Sequence, residues 1–496
     1  MTELRELATN DYPLLIADGK PRADREWIER RNPANGELVS RYARGTADDT
    51  RDAIALARRA FDEGIWPKLT GGERGRILLE WVRLIRRDRD RLARLETEEV
   101  GKSLAAALDD IETAAGLTEH AGMQASNVHG DYYDNLGHEI GIAAREPVGV
   151  VGAITAWNFP AVIFASKVPF ALAAGCTVVA KPSELASATS IEVTLLAYEA
   201  GLPRDALSLV TGYGQEVGQP LADSTDVDLL SFTGSTATGN RLAQTPRPFP
   251  QRLSLELGGK GATIVFADAN LDEAIDGTLK GFCHNQGQIC TAGTRLLVEQ
   301  NIAQEFVDRL SARVAALAMG DPAHGSDVGP LIDENQADRV RQFLDLARND
   351  GARVVPDVVP VSGLPQTFVH PALVLDLDHS HPVFQQEIFG PVLAVTTFTT
   401  TEEAISLANG TTYGLANGVW TADVRRAFKV ARALRSGIVW INDILTSPHP
   451  LPFGGAKASG YGREKGADGV NEFTQLKMIT LAIDDRELTY PTDTRG

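Results

Sequence analysis

The sequence predicts an α/β protein with two α/β units in tandem and a small β element beside them. Three observations carry this. After Arg145, short β-branched runs alternate with helical patterns; a second such series begins near Gly261; and 496 residues exceed what one hydrophobic core usually organises. Strand–helix alternation of this kind argues a parallel sheet covered by helices on both faces.

The first 125 residues read as mainly helical. In "RILLEWVRLIRRDRDRLARLETEEV", Leu78, Trp81, Val82, Ile85, Leu92 and Leu95 recur at helical spacing, with charged residues on the other face. The first series pairs "VGVVGAIT" with the helix "AVIFASKVPFALAAG", "TVVAKPS" with "ATSIEVTLLAYEAG", "LSLVTG" with a short helix, and "VDLLSFTG" with "STATGNRLA". The second runs "ATIVFADA", the helix "LDEAIDGTLKGFCHNQ", the strand "RLLVEQ" and the helix "IAQEFVDRLSARVAAL". Two segments fit neither series. "HEIGIAAREP" (138–147) and "KMITLAIDD" (477–485) alternate like exposed strands, and uncovered edges invite pairing with another segment or chain.

Bulk numbers exclude several classes. Hydrophobic content of 43% and charged content of 23% are those of an ordinary globular protein. A net charge of −18 argues against nucleic acid or an anionic membrane surface as partner. Three cysteines, Cys176, Cys283 and Cys290, make no disulfide framework and suggest a reducing compartment. The N-terminus "MTELRELATNDYPLLIADGK" has no apolar h-region, so a cytoplasmic location is expected. Residues 147–166 carry no charge, but Asn158 and Pro160 interrupt them; a buried strand, a turn and a buried helix is the reading.

The chemistry centres on Cys290, in the glycine-marked turn "NQGQICTAGTR". A free cysteine is commonly just a small buried residue, and Cys176 and Cys283 fit that description. Cys283, His284 and Cys290 match no standard zinc spacing, and six residues on a helix do not bring His284 and Cys290 to one face. Two distant residues favour function instead. Asn158 falls in the turn after one strand and Glu256 at the end of another, where open α/β sheets gather ligands.

Seven motifs then occur in register: "WNFP", "GCTVVAKPSE", "FTGSTATG", "LELGGK", "NQGQICTAGTR", "EIFGPV" and "PFGGAKASGYGRE". In their order, and in the 34 residues separating Glu256 from Cys290, the chain resembles the aldehyde dehydrogenase superfamily, in its hydrolytic, non-CoA-acylating, NAD(P)-dependent branch. The resemblance implies a Rossmann-like NAD-binding domain (1–127 and 148–258), a second α/β catalytic domain (259–471) and a small β oligomerisation arm (128–147 and 472–496), joined as a homodimer or homotetramer.

It also implies roles. Cys290 is the nucleophile toward an aldehyde carbonyl, and Asn158 with the Cys290 backbone N–H stabilises the oxyanion. Glu256 is the base that activates water against the resulting thioester, a residue the CoA-acylating branch lacks. Lys167 either assists proton traffic or is a snorkelling structural lysine. For the cofactor, Gly234 and Ser235 face the pyrophosphate, Lys181 and Glu184 the adenosine ribose, and Glu387 and Phe389 the nicotinamide end, with Trp157, Ser183, Gly214, Phe232 and Leu257 beside them. The Glu184 carboxylate repels a 2′-phosphate, favouring NAD, with NADP still usable.

Phe159, Ile163, Ile289, Thr291 and Phe453 are expected to line the substrate pocket. Ser166 and Ser447 stand where many family members carry aromatics, which suggests a wider or more polar tunnel for bulky aromatic, terpenoid or long-chain aldehydes. Two further readings stay open on residues alone: a cysteine-dependent esterase or thioesterase, and a catalytically silent NAD-binding structural protein.

Overall fold

Two parallel sheets dominate the computed structural model, which describes residues 10–16, 25–245, 250–356 and 363–484. Most of the N-terminal segment read for a leader, and residues 485–496 of the expected arm, lie outside the described residues.

The first sheet has six strands, in spatial order Leu207–Leu209, Thr177–Lys181, Val150–Ile154, Leu229–Thr233, Arg252–Glu256 and Gly460–Tyr461. The first five are parallel, and Gly460–Tyr461 closes the edge antiparallel. Their order along the sheet, third, second, first, fourth and fifth in sequence, is the doubly wound one, with its switch point between Val150–Ile154 and Leu229–Thr233. Alternate side chains serve opposite cores: Val151, Ala153, Val178 and Ala180 join one apolar cluster, Val150, Ile154 and Val179 another. Burial on both faces is why these strands read as unbroken apolar runs. The uncharged stretch divides as expected, into Val150–Ile154, a turn, and the helix Pro160–Ala174, buried nearly all round.

The second sheet runs Arg353–Val355, Ala372–Leu375, Val392–Phe398, Arg295–Glu299, Ala262–Val265, Ala416–Trp420 and Ile438–Ile441. All are parallel except the Arg353–Val355 edge. The helix Leu271–Cys283 stops short of the predicted end because Asn285 and Gln286 turn left-handed, at φ 48° and 55°.

The N-terminal part is less helical than the periodicity implied. A three-stranded sheet (Asp11–Tyr12, Leu38–Ala43, Trp27–Arg31) precedes the helices Ala47–Asp62 and Gly71–Arg87. Its pattern is masked because Arg30 faces inward, its guanidinium donating to the carbonyls of Glu99 at 2.9 Å and Ile332 at 2.7 Å. Both helices begin in capping boxes, Thr46 with Asp49 and Thr70 with Glu73.

The two stray segments find each other. Glu139–Pro147 pairs antiparallel with Thr474–Ala482 from Pro147↔Thr474 to Glu139↔Ala482, and Asp131–Tyr133 adds the third strand. Leu476, Met478, Ile479 and Leu481 remain exposed on it. Among the described residues, no helix is long and apolar enough to cross a membrane.

Candidate active site

Three successive left-handed residues, Asn285, Gln286 and Gly287 (φ 71°), turn the chain from the helix Leu271–Cys283 towards Cys290. The amides around them form a clamp. Asn285 Nδ2 donates to the Asn158 carbonyl at 3.0 Å, and Asn158 Nδ2 donates to the Gln288 carbonyl at 2.9 Å. The Gln288 side chain donates to Asn285 O at 3.3 Å and accepts from Ile332 N at 2.9 Å. Much of the turn's polarity is thus spent on holding its own buried backbone. Gly287 is obligatory: a Cβ there would lie 2.4 Å from the Gly390 carbonyl. Gly287→Ala is expected to cost about 2–4 kcal/mol, seen as a lower Tm together with lost activity.

Cys290 lies on the wall of a cavity of about 900 Å³. Asn158, Glu256, Leu257, Glu387, Trp157 and Phe389 share that wall, as do Gly234 and Ser235. Burial, then the carboxylates of Glu387 and Glu256, push the Cys290 thiol up to about 12. Glu256, at the end of its strand, is buried with neither carboxylate oxygen hydrogen-bonded. Burial first, then the charge of Glu464, hold its carboxyl well above the usual range. Glu387 accepts from Gly259 N at 3.0 Å and is raised by burial to about 7. A Cβ at Gly258 would lie 2.1 Å from Glu387 Oε2, so that glycine lets the carboxylate in. The Trp157 and Phe389 rings meet edge to face, 5.3 Å apart.

Lys167 is not a snorkelling residue. It is fully buried off the cavity wall, ion-paired to Glu464 and donating to Ser231 Oγ at 2.9 Å. Glu464 also accepts from Ser166 Oγ at 2.7 Å.

The residues expected at the cofactor follow the carboxyl ends of successive parallel strands. Trp157 follows Ile154, Gly234 and Ser235 follow Thr233, Leu257 follows Glu256, and Gly214 opens a turn beyond Leu209. Lys181 ends its own strand and pairs with Glu184 at 3.1 Å. Ser235 caps the helix Thr236–Gln244, accepting from Thr238 N at 3.2 Å. Two supports lie inside: Ser183 Oγ accepts from Leu185 N at 3.3 Å, and the buried Phe232 ring sits against Gly234. A crevice at the switch point, a helix N-terminus opening on it and a lysine–glutamate pair along the same edge fit a dinucleotide.

Every expected substrate-pocket residue lines the cavity: Phe159, Ile163, Ser166, Ile289, Thr291, and Ser447 with Phe453. The two serines do not simply widen it, because each hydrogen-bonds a charged group. Ser166 binds Glu464, and Ser447 Oγ accepts from Lys465 Nζ at 2.8 Å. Glu464, Lys465, Asp110, Arg339 and Tyr413 also line the wall and were not singled out by sequence reasoning, and His284, set aside there as a metal ligand or partner of Cys290, lines it too. The signal for Glu464 was present, as the last residue of "PFGGAKASGYGRE".

A thiol, an amide donor and an unpaired carboxylate at the mouth of a doubly wound sheet define a thiol enzyme of the dinucleotide-binding α/β class. The chain belongs to the aldehyde dehydrogenase family, which matches residues 20–479. It is 39% identical over 472 residues to betaine aldehyde dehydrogenase of Bacillus subtilis (strain 168), covering 92% of this chain and 96% of that one. It is also 39% identical over 460 residues to the mitochondrial succinate-semialdehyde dehydrogenase of Arabidopsis thaliana, covering 92% and 87%. A crystal structure of betaine aldehyde dehydrogenase from Staphylococcus aureus in complex with NAD+ superposes with a TM-score of 0.94 at 34% identity, over 99% of this chain and 98% of that one.

Proposed function

We propose that this chain oxidises an aldehyde to a free carboxylic acid with NAD as hydride acceptor, through a thioester on Cys290. The observation that carries the reading is one cavity shared by Cys290, Asn158, Glu256 and Glu387, beside the strand-end turns that fit a dinucleotide. When bound, the cofactor supplies the ring that takes the hydride.

The chain's own residues do the rest. Cys290 releases its thiol proton to solvent and its sulfur adds to the carbonyl carbon. The second N–H of the Asn158 amide and the Cys290 N–H meet the oxyanion, and loss of the aldehyde hydrogen as hydride leaves the thioester. Glu256, raised by burial, takes a proton from water, which then attacks the thioester and releases Cys290. Glu387 and Phe389 orient the nicotinamide end, and Lys181 with Glu184 the adenosine ribose, where the carboxylate disfavours a 2′-phosphate. The exposed apolar strand Thr474–Ala482 joins subunits in a homodimer or homotetramer. A reducing, cytoplasmic setting suits three free cysteines.

The test is direct: protein, an aldehyde and NAD are mixed and the absorbance of reduced nicotinamide is followed. No signal with any aldehyde would remove the reading, and leave an esterase or a silent relative. The pH profile adds a second check. Cys290 must lose a proton that burial makes it hold, so kcat/KM is expected to climb with pH through the neutral and alkaline range by up to about tenfold per unit. Glu256, acting after the thioester forms, adds an alkaline climb to kcat. A flat profile there would contradict the assigned groups.

The family alone does not choose a substrate. One relative is named for betaine aldehyde, a cation, and another at equal identity for succinate semialdehyde, a carboxylate.

A further inference from the structure

Lys465 is a cation buried in the wall of the active-site cavity, only 6% exposed. Its ammonium has three donors, and lysine is rarely buried without an acidic partner. One donor goes to Ser447 Oγ at 2.8 Å, and the nitrogen lies 4.7 Å from the centre of the Phe453 ring. It forms no ion pair with any described residue. The adjacent carboxylate, Glu464, is already occupied by Lys167 and Ser166. Burial lowers the Lys465 ammonium below its ordinary range, against the opposing pull of Glu464, Cys290 and Glu256.

The backbone fixes this side chain in place at a cost. Lys465 sits at φ 63° and ψ 174°, a region that L residues rarely adopt. Phe453 and Glu464 exchange backbone hydrogen bonds at 2.7 and 2.8 Å, and Gly466 N donates to His449 O at 3.0 Å, so both flanks are tied. The cavity that Lys465 lines also carries apolar wall from Val162, Ile163, Leu445 and Phe453. Glu256, Glu387 and Arg339 share the cavity wall, and two further ionisable groups on it are compensated or neutral. Asp110 is ion-paired to Lys102, which also donates to Glu96 at 2.7 Å, and burial holds His284 neutral, down to about 4.

We infer that Lys465 is a specificity-determining residue: its ammonium, with the Ser447 hydroxyl, receives a carboxylate carried by the aldehyde, so the substrate class is the ω-oxo-carboxylates. The inference rests on the dehydrogenase reading above and deepens it. The methylenes between aldehyde and carboxylate run along the apolar wall while the aldehyde faces Cys290. A quaternary ammonium aldehyde would bring a second cation against Lys465, in a site too dry to screen the repulsion.

The experiment compares kcat/KM for succinate semialdehyde, butanal and betaine aldehyde with NAD, in the full-length wild type, Lys465→Met and Lys465→Arg. The wild type is expected to prefer succinate semialdehyde to butanal by about tenfold or more, as a desolvated charge-assisted contact supplies. Lys465→Met should collapse that ratio, chiefly through KM for the anionic substrate, and Lys465→Arg should restore part of it. On the wild type alone, succinate should compete with butanal and succinamide should not. Preference for betaine aldehyde, equal inhibition by succinate and succinamide, or an unchanged substrate ratio in Lys465→Met would each overturn the inference. A wild type that reduces NAD with butanal but shows no anionic preference defeats this inference alone. One that reduces NAD with no aldehyde defeats the dehydrogenase reading as well.

Discussion

Cys290→Ala is expected to lower NADH formation by about 10⁴-fold or more while leaving NAD binding and Tm close to wild type. The size of the loss follows from the site's composition. The other two cysteines are buried in apolar clusters and neither lines the cavity, so neither can replace the missing sulfur. The small effect on Tm follows from position. Cys290 is only partly buried, and the clamp that holds its turn is built from Asn158, Asn285 and Gln288 rather than from the sulfur. Cys283→Ala provides the contrast, because Cys283 belongs to the apolar cluster around the second sheet. Its truncation should cost about 1 kcal/mol and leave turnover intact. Absorbance at the reduced-nicotinamide band and a thermal melt on the same samples separate the two. Substantial NADH formation by Cys290→Ala would take away the assigned nucleophile.

What the sequence disclosed and what it hid divide along physical lines. Strands such as Val150–Ile154 and Thr177–Lys181 were legible because both faces are buried, giving nearly continuous apolar runs, the first opened by Gly149 and the second ended by Pro182. Asn158 and Glu256 were legible because strand ends are where a doubly wound sheet exposes its ligands. Trp27–Arg31 was hidden, since an inward arginine satisfied by distant carbonyls looks like a surface charge. Lys465 was hidden for the same reason, while Glu464 beside it closes a motif visible in the sequence. Nothing local marks a buried lysine there, and the return of Gly460–Tyr461 to the first sheet carries both residues into the cavity. The serines at 166 and 447 were read as lost bulk; the side chains they hydrogen-bond come from residues whose burial is a tertiary fact. The amides of "NQGQIC" have a structural task that the sequence does not show, since much of their hydrogen bonding closes the turn.

Glu256→Gln should leave a single burst of NADH, one equivalent per active site, and lower steady-state turnover by about 10²–10⁴-fold. The burst survives because sulfur addition and hydride departure do not need a base for water; release of the acyl group does. The same change should make the protein more stable, and pH gives the sign. Burial and the neighbouring Glu464 hold the Glu256 carboxyl well above the ordinary 4.5 of a glutamate in the folded chain. The folded state therefore keeps a proton that the unfolded state releases, and stability is lost as pH rises from about 4.5 towards the folded value. Gln carries no such penalty, so the gain should be small near pH 4 and reach about 1–2 kcal/mol at alkaline pH. Thermal melts across pH read the stability, and rapid-quench or stopped-flow absorbance reads the burst. If burst and turnover fall together, Glu256 acts before the thioester forms and is not the hydrolytic base. If the burst remains but the melts shift equally at every pH, the carboxyl is ordinary in its ionisation and another group must raise the alkaline limb of the rate. On the proposed reading, a base kept buried, unpaired and beside a second carboxylate costs the fold stability, and the same raised carboxyl makes it the stronger acceptor of a proton from water once an acyl group occupies Cys290.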